Sequence, residues 1–297
     1  MLLNKIYFHL KDDPKEILVI IVNHLACILP DRLFINLKFR IRNGYWPNLA
    51  VPITYNEKLQ WLKLNDQNPE YTKLVDKAEV KDYVASIIGW DYIIPTLGIW
   101  NNIEEIDWNS LPNQFVIKNT NDSGGLVVCK DKDVFDVEKA KEKLKKGASR
   151  NYTSITKEYP YKDVPRRFIA EEYKEDEYGE LRDYKFFCFN GEPKMIFVAT
   201  GRQKGATTFD FYDINWNHLD IQNEYPNKDG GIPKPSKLSE MIDVARKLSS
   251  NIPHVRVDLY FCNNQIYFGE MTFFHNSGFY PWKPSDWDYK LGSYLKL

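Results

Sequence analysis

The sequence predicts an α+β fold, mostly helical over its first third and strand-rich after it. Apolar residues recur at helical spacing up to about residue 88, and short β-rich runs follow. Turn signals then pair several of those runs into hairpins.

Helices come first along the chain. Asp13-Pro14 reads as a helix start, the apolar run Ile17–Leu29 continues it, and Pro30 stops it. A second helix fits Asn56–Leu64, with Leu59, Leu62 and Trp61 on its apolar stripe. A third fits Asp76–Ile88, with Val80, Tyr83, Val84 and Ile87 at helical spacing. Beyond about residue 89, Phe115–Lys118 is strand-like and ends in the glycine-bearing loop Asn119–Gly125, after which Leu126–Cys129 resumes a strand. Val137–Lys146 is a charged helix, and Arg167–Tyr173 a further strand.

Two hairpins and a helix complete the chain. Asp183–Phe189 meets Lys194–Val198 across Asn190-Gly191, a strong two-residue turn signal. Pro193 predicts that the return strand is an edge. Val255–Phe261 pairs with Ile266–Thr272, and between the hairpins Ser239–Ser249 is a helix with Met241, Ile242, Ala245 and Leu248 facing inward. The expected division is a helical region over 1–88, a small α+β subdomain over 89–178 and a C-terminal α+β subdomain over 179–297.

Composition narrows the function. Lys and Arg total 40 against 41 acids, so nothing electrostatic points to nucleic acid. The four cysteines are scattered without C-x-x-C spacing, as expected of reduced thiols in a cytoplasmic protein. The apolar run Ile17–Leu29 is too short to span a bilayer. It reads as a buried amphipathic helix, with peripheral membrane association as the alternative. The sequence has no P-loop, no G-x-G-x-x-G and no G-x-S-x-G.

Chemistry concentrates in the last hairpin. Alternation puts Arg256, Asp258 and Tyr260 on one face of their strand, and Phe268, Glu270 and Thr272 on one face of the next. A three-residue loop, Asn263–Gln265, sets Asp258 opposite Glu270, whereas a two-residue loop sends the acids to opposite faces. Paired carboxylates that close need a positive partner, and magnesium takes one or two carboxylates together with phosphates. Upstream, Lys118 ends a strand, and Ser123-Gly124-Gly125 lets backbone N–H groups approach an anion. Glu171 and Glu172 end the strand after it.

Taken in order, Asp76-Lys77, the Lys118 strand and its glycine loop, Glu171-Glu172, Arg256-Val257-Asp258 and Glu270 resemble an ATP-grasp enzyme. More narrowly, the chain resembles the TupA-like ATP-grasp family, named for teichuronopeptide biosynthesis. The resemblance is carried by Thr54–Lys63, Leu111–Lys118, Asp122–Gly125, Ile169–Tyr173, Asp183–Gly191 and Val255–Tyr260, and runs from about residue 30 to the C-terminus. It implies two α+β subdomains clasping ATP; the mostly helical N-terminal region read above differs from the nucleotide-like first domain common elsewhere in the superfamily.

By that resemblance, Lys77 and Lys118 contact the phosphates, and Ser123, Gly124 and Gly125 form the loop over them. Glu171 meets the adenine, Glu172 to Lys174 form the hinge, and Asp176 contacts the ribose. Asp183 and Lys185 lie beside the nucleotide, Arg256 and Lys118 serve catalysis, and Asp258 and Glu270 hold magnesium. The family pattern has an asparagine two residues after the second acid, where this chain has Thr272 as the third candidate ligand. Arg202 is the expected contact for a substrate carboxylate or phosphate.

The implied activity is an ADP-forming carboxylate–amine ligase that makes an amide through an acyl phosphate. Its substrates would be a small-molecule or glycan carboxylate, such as a uronic acid of a capsule or other cell-envelope polysaccharide, and an amine or amino acid. Phosphoryl transfer needs positioning and charge neutralisation more than covalent help from the protein. The rival readings are a sugar kinase with the same site and a nucleotide-sugar glycosyltransferase, the latter from the D-x-D triplet Asp286-Trp287-Asp288.

Overall fold

The structure is a computed structural model that describes residues 14–121, 124–201, 205 and 207–297. Its helices are α1 (Pro14–His24), α2 (Asp31–Asn43), α3 (Tyr55–Asn65), α4 (Glu70–Val75), α5 (Val80–Ile88), α6 (Val137–Ala148), α7 (Tyr152–Thr156), α8 (Leu238–Leu248) and α9 (Asp286–Tyr294). The strands are β1 (Thr96–Trp100), β2 (Phe115–Asn119), β3 (Leu126–Cys129), β4 (Phe168–Glu172), β5 (Asp183–Phe189), β6 (Glu192–Thr200), β7 (Thr208–Asp213), β8 (His218–Leu219), β9 (His254–Cys262) and β10 (Gln265–Thr272). The fold is α+β. The chain forms two compact units, one of Met1–Gln67, Asn151–Tyr159 and Phe274–Leu297, the other of Asn68–Arg150 and Pro160–Phe273.

The first unit is helical. Phe34, Ile35 and Phe39 of α2 pack with Val22, Ala26, Leu49 and Phe279. Sequence periodicity missed α2: Pro30 does end the apolar run, but it also sits as the N-cap of this helix. Proline suits that position because the first turn asks nothing of its missing N–H. α1 is buried on the side of Val19 and Val22, while its Leu18 and Ile21, and Leu25 and Ile28 just after it, are exposed. The expected buried amphipathic helix is therefore apolar on both sides. Thr54 opens α3 with a capping box shared with Glu57.

The second unit holds two antiparallel sheets. One has the order β1-β4-β2-β3, the other β10-β9-β5-β6-β7-β8. In the smaller sheet, Phe115, Ile117, Phe168 and Ala170 face a core closed by Leu144 of α6. The alternate residues, among them Lys118 and Glu171, are thereby turned to the other face.

In the larger sheet, β6 pairs with both β5 and β7, so it is not the edge that Pro193 suggested. The proline is tolerated because the β7 ladder begins only at Met195, leaving no partner for the absent N–H. α8 buries Leu238, Met241, Val244, Ala245 and Leu248. Val244 occupies the inward position expected for Ile242, which is half-buried.

Candidate active site

The last hairpin reaches the expected pairing by an unexpected route. Cys262 pairs with Gln265, so the turn has two residues, Asn263 and Asn264. Their φ values of 51° and 58° are the left-handed pair that matches strand twist in tight hairpins, and asparagine tolerates it. The three-residue loop expected from sequence is therefore wrong. Left alone, this turn would put Asp258 and Glu270 on opposite faces. A register shift between Phe268 and Glu270 inserts Gly269 and restores the match, so Glu270 pairs with Asp258 and Thr272 with Arg256. A Cβ at Gly269 would lie 3.0 Å from the Asp258 carbonyl oxygen and 3.1 Å from the Tyr260 ring.

Pairing then carries the row across the sheet. Glu270, Asp258, Lys185 and Phe197 are successive partners and share one face. Arg256 donates to both oxygens of Asp258, from Nε at 2.7 Å and Nη2 at 2.8 Å. The same Nη2 reaches Thr272 Oγ1 at 3.0 Å and Glu270 Oε1 at 3.4 Å. Lys185 bridges Asp258 and Asp183, the latter at 2.6 Å. Lys77, just ahead of α5, lies 3.8 Å from Glu270. The positive charge between the facing acids is thus a guanidinium, flanked by two ammonium groups.

The two acids differ in character. Asp258 is fully buried, and that burial pushes its carboxyl up to about 6 against the pull of Arg256 and Lys185. Burial acts the same way on Glu270, but Lys77, Lys185 and Arg256 outweigh it and hold that carboxyl well below its usual range. The Glu270 side chain is also one-third exposed. Glu270 is the accessible carboxylate; Asp258 is the anchor of the guanidinium.

A second cluster forms on the smaller sheet. Glu171 lies between Lys81 at 2.6 Å and Lys118 at 2.5 Å. Burial alone would raise its carboxyl, yet the two ammonium groups bring it below the usual range. Lys81 also donates to Ile94 O at 2.9 Å and Thr96 Oγ1 at 2.7 Å. Burial raises the Tyr260 phenol well above its usual range, and Asp183, Glu270, Asp258 and Glu171 add to the rise.

The family model described as TupA-like ATPgrasp matches residues 57–296. The chain belongs to the TupA-like ATP-grasp family. No curated protein matches the sequence of this TupA-like protein. Solved structures resemble it at low identity. A D-alanine–D-alanine ligase from Bacillus anthracis is 16% identical over 67% of this chain and 56% of its own, with a TM-score of 0.39. N5-carboxyaminoimidazole synthase from Aspergillus clavatus, in complex with ADP and its ribonucleotide, gives 13%, 70%, 46% and 0.40. The ATP-grasp ligase PsnB, complexed with Mg and ADP, gives 7%, 73%, 57% and 0.39. The TupA-like chain thus spans about half the length of these proteins.

The remaining site residues expected from sequence are distributed as follows. Lys77, Lys118, Glu171, Asp183, Lys185, Arg256, Asp258, Glu270 and Thr272 lie in the two clusters. Glu172 pairs with Lys174 at 2.8 Å, one strand end away. Asp176 is buried and holds Arg182 at 2.7 Å, while its other oxygen accepts from Tyr178 N at 2.9 Å. Gly125 O closes the loop by accepting from Asn119 N at 2.9 Å, and Gly124 has a φ of 128°. Ser123 and Arg202 lie outside the described residues. Asp286-Trp287-Asp288 opens α9, and Asp288 accepts from Asn56 N at 2.9 Å at the start of α3. Sequence reasoning passed over Lys81 and gave Tyr260 no role. Lys81 stands four residues after Lys77 in a helical pattern, a spacing that could have found it.

Among the described residues of this TupA-like protein, no group of three or more His, Cys, Asp or Glu side chains is set to hold a metal alone. Both oxygens of Asp258 are taken by Arg256 and Lys185, so of the two expected acids Glu270, beside the Thr272 hydroxyl, is the one open to magnesium. That ion keeps several waters and takes one or two carboxylates with substrate phosphates.

Proposed function

We propose that this protein is an ADP-forming carboxylate–amine ligase. In this reading the γ-phosphoryl of ATP passes to a carboxylate, giving an acyl phosphate and ADP. An amine then attacks the acyl carbon, phosphate leaves, the amine loses a proton and an amide forms. The observation that carries the reading is the Lys77–Glu270 ion pair, which brings the segment before α5 to the guanidinium–acid hairpin.

The residues meet the demands of that chemistry. Lys77, Lys118 and Arg256 would meet the triphosphate, while Lys185, buried between Asp183 and Asp258, holds those two acids in place. Asp258 grips Arg256 through two parallel hydrogen bonds, which fixes the plane of the guanidinium. A bound magnesium, held by Glu270 beside the Thr272 hydroxyl while Asp258 keeps Arg256 in place, would supply further neutralisation of phosphate charge. Residues 89–178 would carry the lid, and 179–297 the metal-bearing part. The carboxylate would be a uronic acid destined for a cell-surface polysaccharide, and the amine an amino acid.

Product analysis tests this directly. Purified protein, ATP and magnesium are incubated with uronic acids, with and without amino acids, and ADP, phosphate and product mass are followed. A ligase releases ADP and phosphate in equal amounts and yields a product with the mass of the amide. ADP with a phosphorylated sugar and no free phosphate would identify a kinase. Turnover of a nucleotide sugar, with none of ATP, would overturn both.

A further inference from the structure

Glu171 has two oxygens, and a different lysine takes each. The lysines are not equivalent. Lys81 is buried and spends its three N–H donors on Ile94 O, Thr96 Oγ1 and Glu171 Oε1, so it keeps none for a ligand. Lys118, next to last in β2, is more exposed, and Glu171 Oε2 is the acceptor its ammonium meets among the described residues. Two N–H donors of Lys118 therefore remain for a ligand. The triad carries two positive charges and one negative, a net charge of +1.

We infer that Lys81 is a positioning residue for the nucleotide site: it holds one oxygen of Glu171 so that Lys118 is steered by that carboxylate but not neutralised by it. This rests on the ATP-dependent reading above. Without Lys81, Glu171 would be the undivided counter-ion of Lys118, and the phosphate-facing charge would fall to zero. Glu171 itself acts here through the lysines, with both oxygens already engaged, rather than through its own contact with the base of a nucleotide. Burial lowers the affinity of Lys81 for its proton, and Glu171 counters that loss. The two groups hold each other ionised in a site that would otherwise discharge them.

The test is ATP binding, measured by calorimetry at fixed low salt with magnesium present, on folded proteins checked by circular dichroism. Lys81→Met is expected to weaken ATP binding on the order of tenfold. In a turnover assay the change should fall on KM and leave kcat within about threefold. The double variant Lys81→Met/Glu171→Gln restores a net charge of +1 and is expected to regain most of the lost affinity. A merely structural lysine would give no such rescue.

Unchanged binding in Lys81→Met overturns the inference, as does a double variant weaker than the single one. If Lys81→Met does not fold, Glu171→Gln decides alone. It removes no cation and is expected to tighten ATP binding, so a loss of affinity there also overturns the proposal. Absence of ATP binding in the unaltered protein would instead refute the ligase reading on which this one rests.

Discussion

Asp258 faces Glu270 across a hairpin whose turn, by its own length, would have separated them. The single inserted residue Gly269 brings them to one face. The bulge also places the Asp258 carbonyl and the Tyr260 ring against the glycine, leaving no room for a side chain. Gly269→Ala should therefore cost about 1–3 kcal/mol of stability by crowding a packed site. It should also lower turnover by one to two orders of magnitude, roughly, because displaced site groups are costly. Inserting one residue after Gly269 should abolish turnover, since Glu270 would then fall opposite Val257. Thermal melts and ADP release check both; an insertion variant with full turnover would show that the register does not matter.

The acids should respond differently to neutralisation. Glu270→Gln removes a partly exposed carboxylate and should cut turnover at least a hundredfold, roughly, with little change in melting temperature. Asp258→Asn should cut turnover as deeply but also destabilise the fold by about 3–5 kcal/mol. It leaves Arg256 and Lys185 buried without their shared counter-ion. Denaturant titration of the two variants separates the cases. Equal stability losses would contradict the division between anchor and accessible ligand.

Much of this was legible in the residues. Period-two alternation placed Arg256, Asp258 and Tyr260 on one face, and the strand Phe115–Lys118 was read correctly because its inward residues are apolar. What sequence hid were features set by partners distant along the chain. A bulge is a tertiary accommodation, and no local pattern distinguishes Gly269 as an insertion from an ordinary strand glycine. Pro193 looked like an edge signal because the sequence does not show where the β7 ladder starts. Lys81 was passed over because its acceptors lie just before β1, on β1 and on β4, far from it along the chain.

A pH effect on stability should come from Asp288. Burial pushes its carboxyl up to about 7, although the α3 backbone N–H of Asn56 favours the charged form. The folded state thus holds a proton that the unfolded chain has already released. Stability should fall as pH rises from about 4 to about 7 and level off above that. Asp288→Asn removes the titration, so the variant should gain on the parent by about 2–4 kcal/mol across that window. Urea unfolding at several pH values measures it. A parallel pH dependence in parent and variant would contradict the assignment.

The most direct test of the site is the magnesium dependence of ATP binding in the unaltered protein and in Glu270→Gln. Magnesium should tighten ATP binding to the unaltered protein by about tenfold or more. In Glu270→Gln that gain should vanish, while ATP without metal binds as well as before or better, because a repelling carboxylate is gone. A variant that keeps the full magnesium gain would contradict the placement of the triphosphate against the last hairpin.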